Sequence, residues 1–136
     1  MKQLLILHGP NMNLLGLQSA HVGTRYTLDK VNRALRKSVR NSNFSLKIYQ
    51  THDEAKSVTF LHRNRNSASG ILITPGPWFE NGYVLKDTLE LLQIPYLTLS
   101  FINRENTIFH PDKIVVDTDP MQAYLQALEN LMNQLK

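Results

Sequence analysis

Apolar and polar positions change rhythm along this chain in a regular order. Leu4 to Leu7 are four apolar residues in a row, which fits a strand covered on both faces, and Gly9-Pro10 stops it. Residues 17–26 (LQSAHVGTRY) are polar and broken by Gly23, which predicts a loop lying over the carboxyl end of that strand as a lid. From Thr27 the period becomes helical. Leu28, Val31, Leu35 and Val39 share one side, with basic residues between them, until Asn41-Ser42-Asn43 ends the run. Phe44 to Tyr49 alternates as a second strand. A helix over Asp53–Asn66 follows, capped by Asp53 and carrying Val58 and Leu61 on one face; Ser67 to Gly70 is a turn.

Ile71-Leu72-Ile73 reads as a third buried strand, stopped by Thr74-Pro75-Gly76-Pro77. A helix starting at Asn81-Gly82 carries Leu85, Leu89 and Leu92 and ends before Pro95. Tyr96 to Phe101 is a fourth strand, Asn103 to Lys113 a polar loop, and Ile114 to Val116 a short fifth strand. Asp119-Pro120 opens the last helix, with Met121, Tyr124, Leu125, Leu128, Leu131, Met132 and Leu135 in one stripe. That stripe makes Met121 and Tyr124 core residues rather than ligand contacts.

Repeated strand–helix alternation means a parallel sheet covered on both faces. The expected architecture is a single α/β domain over residues 1–136, a flavodoxin-like three-layer sandwich with strand order 2-1-3-4-5. In such sheets ligands sit at the carboxyl edge, where Asn11 and Asn13 would bring two amides. Neither G-x-G-x-x-G nor G-x-x-x-x-G-K-[ST] is present, and His8, His21, His52, His62 and His110 follow no ligand spacing. The expectation is a site without cofactor or metal.

Composition narrows the choice. At 42% hydrophobic and 19% charged, the 136 residues can bury a core. No apolar run approaches the roughly 20 residues of a membrane span, and no leader-like segment opens the chain, so a cytoplasmic protein without a membrane partner is expected. The net charge of +4 gathers at Arg33, Arg36, Lys37 and Arg40 and at His62, Arg63 and Arg65. These patches lack interleaved aromatics, so they read as solvated faces rather than a nucleic-acid site.

The string His8–Gly16, HGPNMNLLG, resembles the N-G-P-N-L-N-x-L-G signature of type II 3-dehydroquinate dehydratases. Tyr49-Gln50-Thr51-His52-Asp53-Glu54 resembles the same family's Q-S-N-x-E segment, Thr74-Pro75-Gly76 its N-P-G, and Leu85-Lys86-Asp87 its L-R-D. The resemblance implies dehydration of 3-dehydroquinate through an enolate, with a lid tyrosine as base, an adjacent arginine to activate it and a histidine as acid. It assigns Asn11 to the enolate, Thr74, Gly76, Ser100, Phe101 and Ile102 to substrate binding, and Asp87 to a neighbouring subunit's site. It also implies trimers and a dodecamer of four trimers.

Several positions depart from that pattern. The lid puts Gln18 at the arginine and Gly23 at the tyrosine; Thr74 replaces an asparagine, Glu80 a binding histidine, and Ser100 the acid histidine. A serine hydroxyl has too high a pKa to serve as that acid. Tyr26, beside Arg25 in the lid, and Glu80 are the substitute base and acid that the sequence offers. Two readings follow. One is a weakened or drifted lyase or isomerase acting on a small hydroxylated molecule, using Asn11, Thr74, Glu80, Ser100 and Arg104. The other is a non-catalytic oligomer that binds a small molecule, with Glu80 disfavouring an anion.

Overall fold

In the computed structural model, which describes residues 1–21 and 23–136, five parallel strands form one sheet. They are β1 (Lys2–His8), β2 (Phe44–Gln50), β3 (Ala68–Thr74), β4 (Tyr96–Ser100) and β5 (Ile114–Val116). The order is β2-β1-β3-β4-β5, as the alternation predicts. Helices α1 (Leu15–Ala20), α2 (Leu28–Val39), α3 (Glu54–Asn64), α4 (Trp78–Asn81), α5 (Tyr83–Leu92) and α6 (Pro120–Gln134) complete the layers.

The period of two in β1 sorts the core. Leu4 and Ile6 pack on one side with Val31 and Leu35 of α2 and with Tyr124, Leu128 and Leu131 of α6. Leu5 and Leu7 pack on the other with Leu61 of α3, Leu85 and Leu89 of α5, and Trp78 and Phe79 of α4. By the same alternation His8 falls on the Leu4–Ile6 side, so a polar ring is carried into the layer of α2 and α6. In register, His8 lies opposite Thr74, so the two leave the sheet side by side.

Three helix starts are set by the caps the sequence offers. Thr27 Oγ1 accepts from the Lys30 amide, Asp53 Oδ1 from Ala55, and Asp119 Oδ1 from Met121 at 3.0 Å. Gly9 is required by close approach: a Cβ there would meet the Thr74 carbonyl oxygen at 2.4 Å.

The structure differs from the sequence reading in three stretches. Leu15–Ala20 is helix rather than loop; no side chain caps it. Contacts outside the helix hold it: Leu15 is buried in the core, and Ser19 Oγ binds both the amide and the carbonyl of Tyr26. β3 begins at Ala68, inside the predicted turn, because pairing with β1 extends it. The helix expected from Asn81-Gly82 is α5, and a further short helix not expected from the sequence, α4, precedes it and meets it at Gly82. No helix among the described residues is long and apolar enough to cross a membrane.

Candidate functional site

At the carboxyl edge the connections after β1, β3 and β4 diverge and leave a cleft of about 470 Å³. The strand ends contribute Thr74, Leu99 and Ser100, and α4 contributes Phe79. The turn after β1 contributes Pro10, Asn11 and Met12. Asn11 has φ 63, the left-handed region in which asparagine is enriched, and its amide donates to His52 Nδ1 at 3.0 Å. The backbone is thus turned so that Asn11 faces the cleft rather than capping the next turn.

The roof is a stripe. Leu14, Leu17, Gln18 and His21 follow helical spacing and all line the cleft. Leu14 and Leu17 remain 46% and 61% exposed, apolar surface turned toward an opening rather than a core. The opposite wall holds Phe101, Ile102 and Arg104.

Arg104 supplies the positive charge. Its guanidinium lies 4.7 Å from the centre of the Phe79 ring, and its Nε–H donates to Ser100 Oγ at 3.2 Å. No carboxylate pairs with it among the described residues. Ser100 is fully engaged: its hydroxyl donates to the Ile102 carbonyl at 2.6 Å and accepts from the Ile102 amide and from Arg104. It has no proton left for a ligand, so it positions Arg104 and the turn after β4.

Beneath the strand ends lies a buried polar line. His8 is 0% exposed, and its Nε2–H donates to Asn32 Oδ1 of α2 at 2.8 Å. Tyr124 of α6 donates to His8 Nδ1 at 2.7 Å, and Thr74 donates to Tyr124 at 2.7 Å. Burial pulls the His8 pKa down to about 4 against the Asn32 hydrogen bond that raises it, so the ring is neutral. Burial likewise pushes the Tyr124 hydroxyl above its ordinary value. Tyr124 is core, as its stripe predicts, but its hydroxyl also supports a cleft residue.

Among the residues singled out from the sequence, Asn11, Gln18, Thr74, Gly76, Ser100, Phe101 and Ile102 meet around this one cleft. Tyr26 does not join them; it lies with Thr24, Thr118, Asp119 and Pro120 in a separate hollow and packs against the core. Glu80 is exposed on α4 outside the lining, and Gly23 and Arg25 are exposed and belong to neither wall. Asp87 is exposed on α5, away from its own chain's cleft. The anion-repelling cleft expected from Glu80 is therefore not what the geometry presents: the charge in the wall is the cation Arg104. His21 and Phe79 were missed. The spacing of Leu14, Leu17, Gln18 and His21 carried the signal for His21, hidden because the stretch read as loop.

A family model described as Dehydroquinase class II matches residues 2–116. The chain is 28% identical to a 3-dehydroquinate dehydratase of Halothermothrix orenii, over 100% of this chain and 97% of the relative. It is 32% identical to a 3-dehydroquinate dehydratase of Roseiflexus castenholzii, over 96% of this chain and 88% of that one. The crystal structure of a type II dehydroquinase from Butyrivibrio crossotus superposes with a TM-score of 0.86 at 20% identity, covering 96% of this chain and 97% of that one, and so shares the fold.

Proposed function

Because this chain belongs to the class II dehydroquinase family, we propose that its cleft binds a small hydroxylated ring acid, and that dehydration of 3-dehydroquinate in it is lost or slower by several powers of ten. The observation that carries this reading is the composition of the cleft. A cationic Arg104 without a carboxylate partner among the described residues is kept in place by Ser100 and Phe79, while neither Tyr26 nor Glu80 reaches the lining. Dehydration next to a ketone needs a base and an acid on opposite sides of the ring, and each such group contributes typically 10²- to 10⁴-fold. Binding groups alone recover only part of that.

The test pairs two measurements. Thermal shifts with 3-dehydroquinate and with saturated hydroxylated ring acids should show stabilisation, while the ultraviolet absorbance of the conjugated enone product should rise at well below about one turnover per second. Ordinary turnover at or above that rate would overturn the proposal. Absence of any stabilisation by ring acids would sink its binding half.

A second reading is favoured by one observation: His21 lines the cleft from the roof. Imidazole is the commonest general base near neutral pH, so slow lyase chemistry would run through His21. His21→Asn should then abolish residual turnover while leaving ring-acid affinity within a few-fold.

The chain also self-associates, as trimers and as a dodecamer of four trimers. What supports this is the outer face of α5, where Tyr83, Val84 and Leu91 are 65%, 60% and 74% exposed around Asp87. Sedimentation at micromolar concentration should give a species several-fold heavier than the 15.6 kDa chain; a monomer would refute it.

A further inference from the structure

The buried line beneath the cleft has a direction, and that direction reaches the ligand. Asn32 Oδ1 can only accept, so the proton of the His8 ring sits on Nε2. The ring is neutral, so Nδ1 is bare and the Tyr124 proton points at it. With that proton committed, the Tyr124 oxygen accepts, and Thr74 donates its only proton inward. Thr74 is 4% exposed and lines the cleft, and with its proton turned inward its hydroxyl has lone pairs but no hydrogen to offer there. An amide or a free hydroxyl would offer both a donor and an acceptor there; this threonine offers one.

We propose that Thr74 is the specificity-determining residue of the cleft: held acceptor-only by Asn32, His8 and Tyr124, it selects a ligand hydroxyl and rejects a carboxylate or ketone oxygen at that point. This rests on the reading of the cleft as a ring-acid site. The carboxylate of the ligand then goes to Arg104, the only cation in the wall among the described residues, and a ring hydroxyl goes to Thr74. The ligand class is a hydroxylated carbocyclic acid whose donor and anion lie on different edges of the ring. His8 and Tyr124 are positioning residues, acting through Thr74.

Two measurements separate this proposal from the reading beneath it. Long-range nitrogen–proton spectra of histidine-labelled protein report the tautomer without any ligand, with His8 assigned by the signal missing in His8→Gln. The proton should be on Nε2, with Nδ1 bare and the signal unchanged between pH 8 and pH 5. A proton on Nδ1 overturns the proposal whatever the binding data say. Calorimetric titrations then compare quinate with cyclohexanecarboxylate, which keeps the ring and carboxylate but has no hydroxyl. Quinate should bind at least about tenfold more tightly to the unaltered protein, since a buried acceptor left unmatched is costly.

Thr74→Val should collapse that ratio toward one, moving cyclohexanecarboxylate little; Thr74→Ser should preserve it. An undiminished ratio in Thr74→Val also overturns the proposal. If Thr74→Val does not fold, Thr74→Ala, which also removes the acceptor and in which the ratio should likewise fall toward one, takes its place. If neither acid binds the unaltered protein, the ring-acid reading fails and the selectivity built on it fails too, while the spectrum still decides the direction of the line.

Discussion

At the strand ends His8, Thr74 and Tyr124 are buried and joined by hydrogen bonds, whereas over the same cleft Leu14 and Leu17 of the roof stand 46% and 61% exposed. The floor is tied to the core of the fold. A change there strands a buried donor or acceptor, which costs about 1–3 kcal/mol for each group. The roof is a six-residue helix without a side-chain cap, anchored by Leu15 and by Ser19 to Tyr26. Its outward residues can be exchanged at small cost in stability. Of the departures from the resembled pattern, Gln18 and Gly23 lie in or beyond that roof, while Thr74 and Ser100 lie in the buried floor, where each keeps its polar atoms hydrogen-bonded. Remodelling of chemistry is cheap where surface faces a ligand and expensive where it faces a core.

Gly9 and Gly23 set the two regions apart most sharply. Gly9→Ala places a methyl group 2.4 Å from a backbone oxygen between β1 and β3, neither of which can give way. It should destabilise by about 3 kcal/mol. Gly23→Ala meets no atom within 4 Å but sits at φ +112, so the cost is backbone strain of about 1 kcal/mol. Urea denaturation of both variants checks the order; equal losses would erase the distinction between floor and roof.

Acid should find the floor next. The His8 pKa is about 4 in the folded chain and near 6.5 unfolded, so between those values the unfolded chain binds the extra proton. Stability conferred by the neutral ring is complete above about pH 6.5 and falls as pH drops toward 4, by about 3 kcal/mol in total. His8→Gln should begin less stable at pH 7 and lose correspondingly less between pH 7 and pH 4. Parallel pH profiles for the two proteins would show that His8 carries none of the acid sensitivity.

In the wall, Arg104→Gln should weaken ring-acid binding about tenfold to a hundredfold while costing only about 1 kcal/mol of stability, since it removes the contact with one ring face and one hydrogen bond to Ser100, whose hydroxyl stays bonded to Ile102. Calorimetry and denaturation on one preparation measure both. The smallest effect belongs to the roof: Leu17→Ser should leave stability within about 0.5 kcal/mol and shift ring-acid affinity only a few-fold. A larger stability loss would mean that the stripe packs against protein rather than facing ligand.

Much of the molecule was legible from periodicity and caps. Five strands, their order, the helix starts at Thr27, Asp53 and Asp119, and a cleft at the carboxyl edge all follow from local pattern and one topological rule. The roof helix was not legible, because its start has no capping side chain and it is held by Leu15 in the core and by Ser19 bonding Tyr26 across the following loop, neither of which a periodic pattern shows. Nor was the fate of Tyr26 and Glu80: a sequence offers a phenol and a carboxylate near the right place, but side-chain direction decides whether either enters the cleft.

The sequence by itself determined the family resemblance, the strand alternation and the face on which His8 must lie, since these depend on neighbours a few residues apart. Only the tertiary structure decided that His8 would meet Asn32 and Tyr124, that Tyr124 would hold the Thr74 proton, and that Ser100 would hold Arg104. The partners of His8 and Thr74 come from elements far along the chain. A hydrogen bond depends on distances of a few tenths of an ångström and on which atom carries the proton, and both are set only when the layers close on the sheet.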